Sequence, residues 1–263
     1  MIGLLLLIAV PVAMWMVQTV LLLVHAMPVR LRIDARRAPK SVRLGGRITT
    51  QVALFAVILL YPWLSQRGAA LPYYASLFPW NAEAVAAIRG AAAVIACLGT
   101  LYAIWLLTDR VEVKAHLSRS KCLRRLSMAA PAALFGAGVE ELVFRGVLMG
   151  DLFRVGLPPS LVIVPAATIF AIAHYVRAVK RKWTFPGHLA LGILLCVAFA
   201  QTRVLWLPFG IHAAGIFMIM GTRPFFWYKG PAWLTGASIF PFAGVVGIAG
   251  LGVLTGYVLT HFQ

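Results

Sequence analysis

Apolar stretches recur along this chain, and each is long enough to cross a bilayer. From Met1 to His25 there is no Asp, Glu, Lys or Arg, and a hydrocarbon core of about 30 Å needs about 20 such residues in a helix. Composition points the same way. Hydrophobic residues make up 62% of the chain and charged residues 12%, with a mean hydropathy of +0.90, against roughly 45–50% and about 25% in ordinary soluble domains. A window of about 19 residues places spans near 2–25, 48–65, 86–107, 127–150, 158–176, 187–201, 204–221 and 236–260. The expected fold is therefore an all-α, polytopic membrane helix bundle of about eight transmembrane helices. Residues 1–126 would hold the first three spans and 127–263 the rest.

Charge divides the intervening loops. Residues 29–47 carry seven Lys and Arg, 108–126 six, 177–182 four and 222–229 two, so that 19 of the 24 fall on alternate loops. By the positive-inside rule those loops face the cytoplasm and both termini lie on the other side, as in a multi-pass protein of a bacterial cytoplasmic membrane. Trp63, Trp80, Trp105, Trp183, Trp206 and Trp227 fall near span ends, where an indole suits the interface. The first span lacks the basic residues that precede a secretory signal, so it is expected to be retained. The tail GYVLTHFQ has neither a prenylation box nor the spacer of a lipid-anchor signal. Cys97, Cys122 and Cys196 are far apart and odd in number, which suggests neither a disulfide framework nor a cysteine metal site. The net charge of +17 reads as topogenic and lipid-facing, not as a nucleic-acid interface, because no base-stacking motif interleaves with it. LSRSKCLRRLSM is expected as an amphipathic interfacial helix.

Within this apolar chain the segment GAGVEELVFRGV stands out. Asp34, Glu83, Asp109, Glu112 and Asp151 sit in loops or at span edges, whereas Glu140 and Glu141 lie deep in a span. Two uncompensated acids there would cost on the order of 5–7 kcal/mol. Glu141 and Arg145 are four residues apart and can pair on one helix face. Glu140 is rotated by about 100° from its neighbour, and its own four-residue neighbours, Gly136 and Phe144, cannot neutralise it. Its partner must come from another span. His174 and His212 are the two histidines placed inside apolar segments, while His25, His116, His188 and His261 read as structural or solvated. Gly136, Ala137, Gly138 and Gly146 would let helices approach closely. Pro131 and Pro208 are positioned to kink their spans, and Gly252 and Gly256 form a GxxxG in the last one.

Three readings fit such a set. It can be interhelical polar glue, a proton or ion relay of the kind transporters use, or a hydrolytic site. No inverted repeat or second acidic cluster supports transport. Among hydrolytic mechanisms, no aspartate pair lies in the spans, Ser238 lacks a G-x-S-x-G context, and no H-E-x-x-H occurs. A glutamate with two histidines remains, able to activate water and stabilise an oxyanion.

These residues resemble the CPBP intramembrane endopeptidases, which include the type II CAAX prenyl proteases and bacteriocin-processing or immunity-associated bacterial members. The family pattern is EExxxR, FxxxH, and a second histidine followed four residues later by Asn or Asp. Glu140, Glu141 and Arg145 match the first box, Phe170 and His174 the second, and His212 opens the third. The third box departs at Ile216. The resemblance implies that Glu140 and His174 activate the attacking water, that His212 lines the oxyanion site, and that Glu141 and Arg145 support the first box. It implies a membrane-anchored protein or peptide as substrate, a lipid bilayer as surroundings and no cofactor. Phe170 is expected to pack. Zinc is the open alternative, since Glu140, His174 and His212 form a two-histidine, one-carboxylate ligand set. Ile216 leaves room for a second class, a non-hydrolytic scaffold or immunity-type relative.

Overall fold

Straight-chain and small apolar residues dominate the long segments, and in them the backbone closes its own hydrogen bonds as helix. A computed structural model describes residues 2–29, 38–114, 118–177, 184–237 and 240–262. Its helices are α1 (Ile2–Val24), α2 (Lys40–Leu64), α3 (Ala70–Leu77), α4 (Val85–Leu107), α5 (Arg119–Glu141), α6 (Gly150–Arg154), α7 (Pro159–Arg177), α8 (Thr184–Thr202), α9 (Trp206–Thr222), α10 (Ala232–Thr235) and α11 (Val245–His261). Between α5 and α6 the rod continues as a π-helix over Leu142–Met149. The architecture is an all-α bundle, and each of the eight expected spans has its helix. Among the described residues, four helical segments can by length and composition cross a membrane: Ile2–Val24, Lys40–Leu64, Ala82–Leu107 and Thr184–Thr202. Shorter apolar helices run over Pro159–His174, Trp206–Thr222 and Val245–His261.

Helix pairs are set by what their facing side chains allow. Gly90 and Gly210 bring α4 and α9 together: a Cβ at Gly210 would lie 2.1 Å from the Ala87 carbonyl oxygen, and one at Gly90 would lie 2.9 Å from that of Leu207. Gly192 brings α8 onto α7, where a Cβ would meet Ala167 at 3.1 Å. Around these contacts one apolar core gathers Leu98, Leu101, Val143, Leu148, Phe170, Leu194, Leu195, Leu207 and Leu251.

The loops sort to two ends. Val111–Val113 (β1) and Phe226–Tyr228 (β2) pair antiparallel, Val111 opposite Tyr228, which joins the basic loops after α4 and α9. At the other end the Asp151 carboxylate accepts the Gly3 N–H at 3.0 Å, the Arg67 guanidinium reaches the Gly150 carbonyl, and Trp206 donates to Pro79. The two basic loops after α4 and α9 thus meet at one end, as the loop charges imply for that pair. Asp34, Lys180, Arg181, Lys182 and Trp183 lie outside the described residues, as do His116 and Ser238.

Several expectations are corrected. Helix α2 starts at Lys40, ahead of the apolar run, because its first turns pack on α1: a Cβ at Gly46 would meet the Gln18 amide at 2.1 Å. From Arg119 onward, the stretch LSRSKCLRRLSM is the first part of α5 and not a separate interfacial helix. Pro208 falls in the first turn of α9, where its missing N–H costs no helix hydrogen bond, so it starts the helix instead of kinking it. Trp105 is 2% exposed and packs against Tyr102 and Tyr228 instead of facing the interface. The last span begins only at Val245, since Phe240–Gly244 is irregular and Pro241 opens a 3-10 turn. Its GxxxG faces open space, whereas a Cβ at Gly247 would lie 2.6 Å from the Pro241 oxygen.

This packing predicts a contrast between two glycines. Gly210→Ala should lose about 1–3 kcal/mol, as overpacked cores do, while Gly252→Ala, with nothing within 4 Å of its Cβ, should leave the detergent-solubilised unfolding midpoint in place. Thermal unfolding followed by tryptophan fluorescence reads both.

Candidate active site

The two acids close α5, and the helix widens immediately after them. In the π-helical turns the Gly150 N–H reaches back to the Arg145 carbonyl, five residues away. Such turns recur at functional sites because they spend helix hydrogen bonds to re-aim side chains. Tyr73 donates its hydroxyl to the Gly146 carbonyl at 2.7 Å, satisfying one of the acceptors in the widened stretch.

Glu141 and Arg145 have fully buried side chains. Their four-residue spacing delivers the pair that the sequence calls for: Arg145 Nη1 donates to Glu141 Oε1 at 3.2 Å. The guanidinium also donates to the Gly192 carbonyl at 3.4 Å, approaches Cys196 Sγ at 4.0 Å and lies 4.8 Å from the centre of the Phe170 ring. The same Glu141 oxygen takes a second contact, from His212 Nδ1 at 2.7 Å. Glu141 thus joins α5 to α9 as well as to its own helix.

Glu140 meets both imidazoles. His174 Nε2 lies 3.2 Å from Glu140 Oε2, and His212 Nε2 lies 3.6 Å from the same oxygen. The side chains of Glu140 and His174 are 23% and 22% exposed, whereas those of Glu141 and Arg145 are at 0%. Of the two acids, then, Glu140 has the more exposed side chain, with its Oε2 buried against the imidazoles.

Hydrogen-bond chemistry assigns the protons. A carbonyl only accepts, so the 2.9 Å contact of His174 Nδ1 with the Phe170 carbonyl places a proton on Nδ1. Its Nε2 then faces Glu140, and a hydrogen bond between them needs one further proton, held by either group. His212 donates from Nδ1 to the Glu141 carboxylate and turns its Nε2 toward Glu140. That arrangement resembles the carboxylate–imidazole pairs that fix a tautomer and support an imidazolium. Phe170, 0% exposed, supplies the carbonyl for His174 and a ring face for Arg145.

Beside Glu140 and His174 lies a cavity of about 400 Å³ whose other walls are almost wholly apolar. Helix α1 contributes Leu4, Leu7, Ile8, Pro11 and Met14, and α7 contributes Ile169, Ile172 and Ala173. The opposite face of α1 exposes Leu5, Val12, Met16 and Val20, as a lipid-facing helix does.

All five residues singled out from the sequence, Glu140, Glu141, Arg145, His174 and His212, converge here. One neighbour was not foreseen. His188, read as structural or solvated, stacks on His174 with ring centres 4.7 Å apart and planes 22° apart. A signal existed: His188, Gly192 and Cys196 fall at four-residue intervals on one face of α8, and all three touch His174 or Arg145. Among the described residues no group of three or more His, Cys, Asp and Glu is arranged to hold a metal ion.

With this geometry in view, the comparison with known families becomes specific. Residues 123–218 match the family model described as type II CAAX prenyl endopeptidase Rce1-like. Over these 96 of its 263 residues the chain is similar to that family. Neither a curated protein nor a solved structure matches the chain. The matched segment runs from early α5 into α9 and contains Glu140, Glu141, Arg145, His174, His188 and His212. The matched family is one of proteases, and the apolar helices support an integral membrane protein.

The buried pair makes a stability prediction. Arg145→Met should destabilise the chain by about 3–5 kcal/mol, because it takes the cationic partner from a fully buried Glu141 carboxylate and leaves it with the His212 contact. Arg145→Met combined with Glu141→Gln should recover most of that loss. Unfolding midpoints of the two variants in one detergent test the coupling.

Proposed function

We propose that this chain is a glutamate-dependent intramembrane endopeptidase, hydrolysing a peptide bond of a membrane-associated protein or peptide. The observation that carries the reading is Glu140 Oε2 within 3.2 and 3.6 Å of two imidazole nitrogens, at the edge of an apolar cavity. Glu140 and His174 hold a water between them. As its oxygen attacks the scissile carbonyl carbon, one water proton passes to the Glu140–His174 pair. His212, supported through Nδ1 by Glu141, presents Nε2–H to the oxyanion. When the carbon–nitrogen bond breaks, the Glu140–His174 pair returns the proton to the departing amine. Every step uses the chain's own groups.

The cavity supports a substrate that approaches with an apolar group first, since thirteen of its sixteen lining residues are apolar. Loop charge supports an orientation with the β1–β2 ribbon on the cytoplasmic side. Prenylated or otherwise membrane-bound tails, including those of CAAX type or of protein-sorting substrates, satisfy these requirements.

Glu140→Gln should abolish cleavage, with a loss of at least about a thousandfold, while keeping the parent's unfolding midpoint. The measurement is turnover of an internally quenched, farnesylated CaaX peptide in detergent, with comparative proteomics of membranes carrying the parent and the Gln variant to find natural substrates. Equal activity in the two proteins would defeat the assignment.

Ile216 favours a second reading, an inactive relative with a scaffold or immunity role. It lies one turn beyond His212 on α9, where the family pattern places an amide or acid. In an active enzyme with an incomplete oxyanion site, Ile216→Asn should raise kcat several-fold on the same peptide. A silent parent together with a silent Ile216→Asn would support the scaffold.

A further inference from the structure

We propose that His188 is a positioning residue of this site, a flat wall that holds the His174 imidazole with Nε2 aimed at Glu140; this rests on the hydrolytic reading only for its consequence in turnover.

His174 needs such a wall. It lies close to the end of α7, and its own helix holds it through Phe170, whose carbonyl meets Nδ1. That hydrogen bond fixes one nitrogen and does not by itself set the tilt of the ring plane. His188 covers the ring face, with centres 4.7 Å apart and planes 22° apart, and the Phe170 ring approaches His174 at 4.3 Å.

The wall is itself held on two sides, and one of its supports is braced in turn. His188 Nδ1 donates to the Thr184 carbonyl at 2.7 Å, tying the ring to the first turn of α8. Phe240 lies flat against the His188 ring, 4.1 Å away with planes 9° apart. Phe240 is in turn pressed onto α8 where Gly187 leaves room: a Cβ there would lie 2.7 Å from the Phe240 ring and 2.6 Å from the Phe242 carbonyl oxygen. The stretch that carries Phe240 lies beyond the matched residues 123–218, so part of the chain outside them braces the candidate base.

The stacked geometry also separates positioning from proton transfer. Ring N–H bonds lie in the ring plane, and stacked rings cannot aim them at one another. His188 therefore does not relay a proton directly to His174. A phenyl ring would supply the flat face without the Thr184 tether, and a methyl group would supply neither.

The experiment compares the full-length parent with His188→Phe and His188→Ala in detergent. Nitrogen-15 NMR on histidine-labelled protein, with the His174 signal assigned through His174→Gln, reads the ring directly. The expected result is a single Nδ1–H tautomer of His174 in the parent and in His188→Phe, and shifted, broadened signals in His188→Ala. Unchanged His174 signals in His188→Ala, or equal disturbance in both variants, would overturn the proposal. On the quenched farnesylated CaaX peptide, His188→Ala should lose about tenfold or more in kcat, as misplaced catalytic groups do, with KM within about twofold, and His188→Phe should recover most of it. A kcat loss that merely follows the folded fraction would count against positioning. If the parent does not cleave this peptide, the farnesylated-substrate reading falls, and the NMR comparison still decides the role of His188.

Discussion

A carboxylate with no exposed side-chain surface, inside an apolar bundle, has to be answered by neighbouring groups, and Glu141 is where the surrounding structure is tied together. Arg145 answers it from one turn along the same rod and His212 answers it from α9. Each contact fixes something else. Arg145 is held against the Phe170 ring and the Gly192 carbonyl, so α5, α7 and α8 are drawn to one point. His212 is turned so that its second nitrogen faces Glu140. The Glu141–Arg145 pair contributes little net stability if it resembles other buried ion pairs, whose desolvation offsets their attraction. Its effect is to give three helices one mutual arrangement, and to leave the adjacent glutamate as the more accessible acid.

The helix pays for this arrangement in backbone hydrogen bonds. A regular α-helix after Glu141 would carry the following residues round at about 100° each, whereas the π-helical turns of Leu142–Met149 widen the rod and leave Arg145 enclosed between Phe170 and α8. The displaced carbonyls find partners from the α2–α3 side of the molecule, where Tyr73 reaches Gly146 and Arg67 reaches Gly150. The first spans are therefore joined to the site's own helix through polar contacts, in surroundings where each unsatisfied backbone group is costly. They also supply one wall of the apolar cavity through α1.

Most of the helices and the core of the site were legible in the sequence, for an identifiable reason. Apolar length reports spans directly, and an ionisable group in a span is expensive enough that its partner must exist. That reasoning led from Glu140 to His174 and His212 without coordinates. Less legible features were those decided by tertiary contact at little local cost. The π-helical turns leave no mark in LVFRGVLM that distinguishes them from α-helix. The start of α2 at Lys40 depends on Gly46 fitting over Gln18, and the β1–β2 ribbon depends on two loops meeting at one end of the bundle. His188 stands at the start of α8, where position along a span carries no signal of function. Histidine at a helix start is ordinary in isolation, and only the shared face with Gly192 and Cys196 distinguishes it.

For the proposed hydrolysis, the placement of the site beside the apolar cavity has a consequence. A peptide bond in a bilayer-associated substrate is surrounded by little water, and hydrolysis needs both that bond and a water at one carbon. Glu140 and His174 stand at the boundary between these requirements: partly exposed themselves, they border the cavity on one side and the buried Glu141–Arg145 pair on the other. Apolar walls can accept the lipid-facing part of a substrate without desolvation cost, which leaves the polar groups to hold the water and the developing charge. Excluding bulk water from those walls strengthens each electrostatic contact at the reacting carbon. On this view α1 matters to chemistry without supplying a reacting group, since it forms the apolar side of a boundary whose polar side is built by the segment that matches the Rce1-like family.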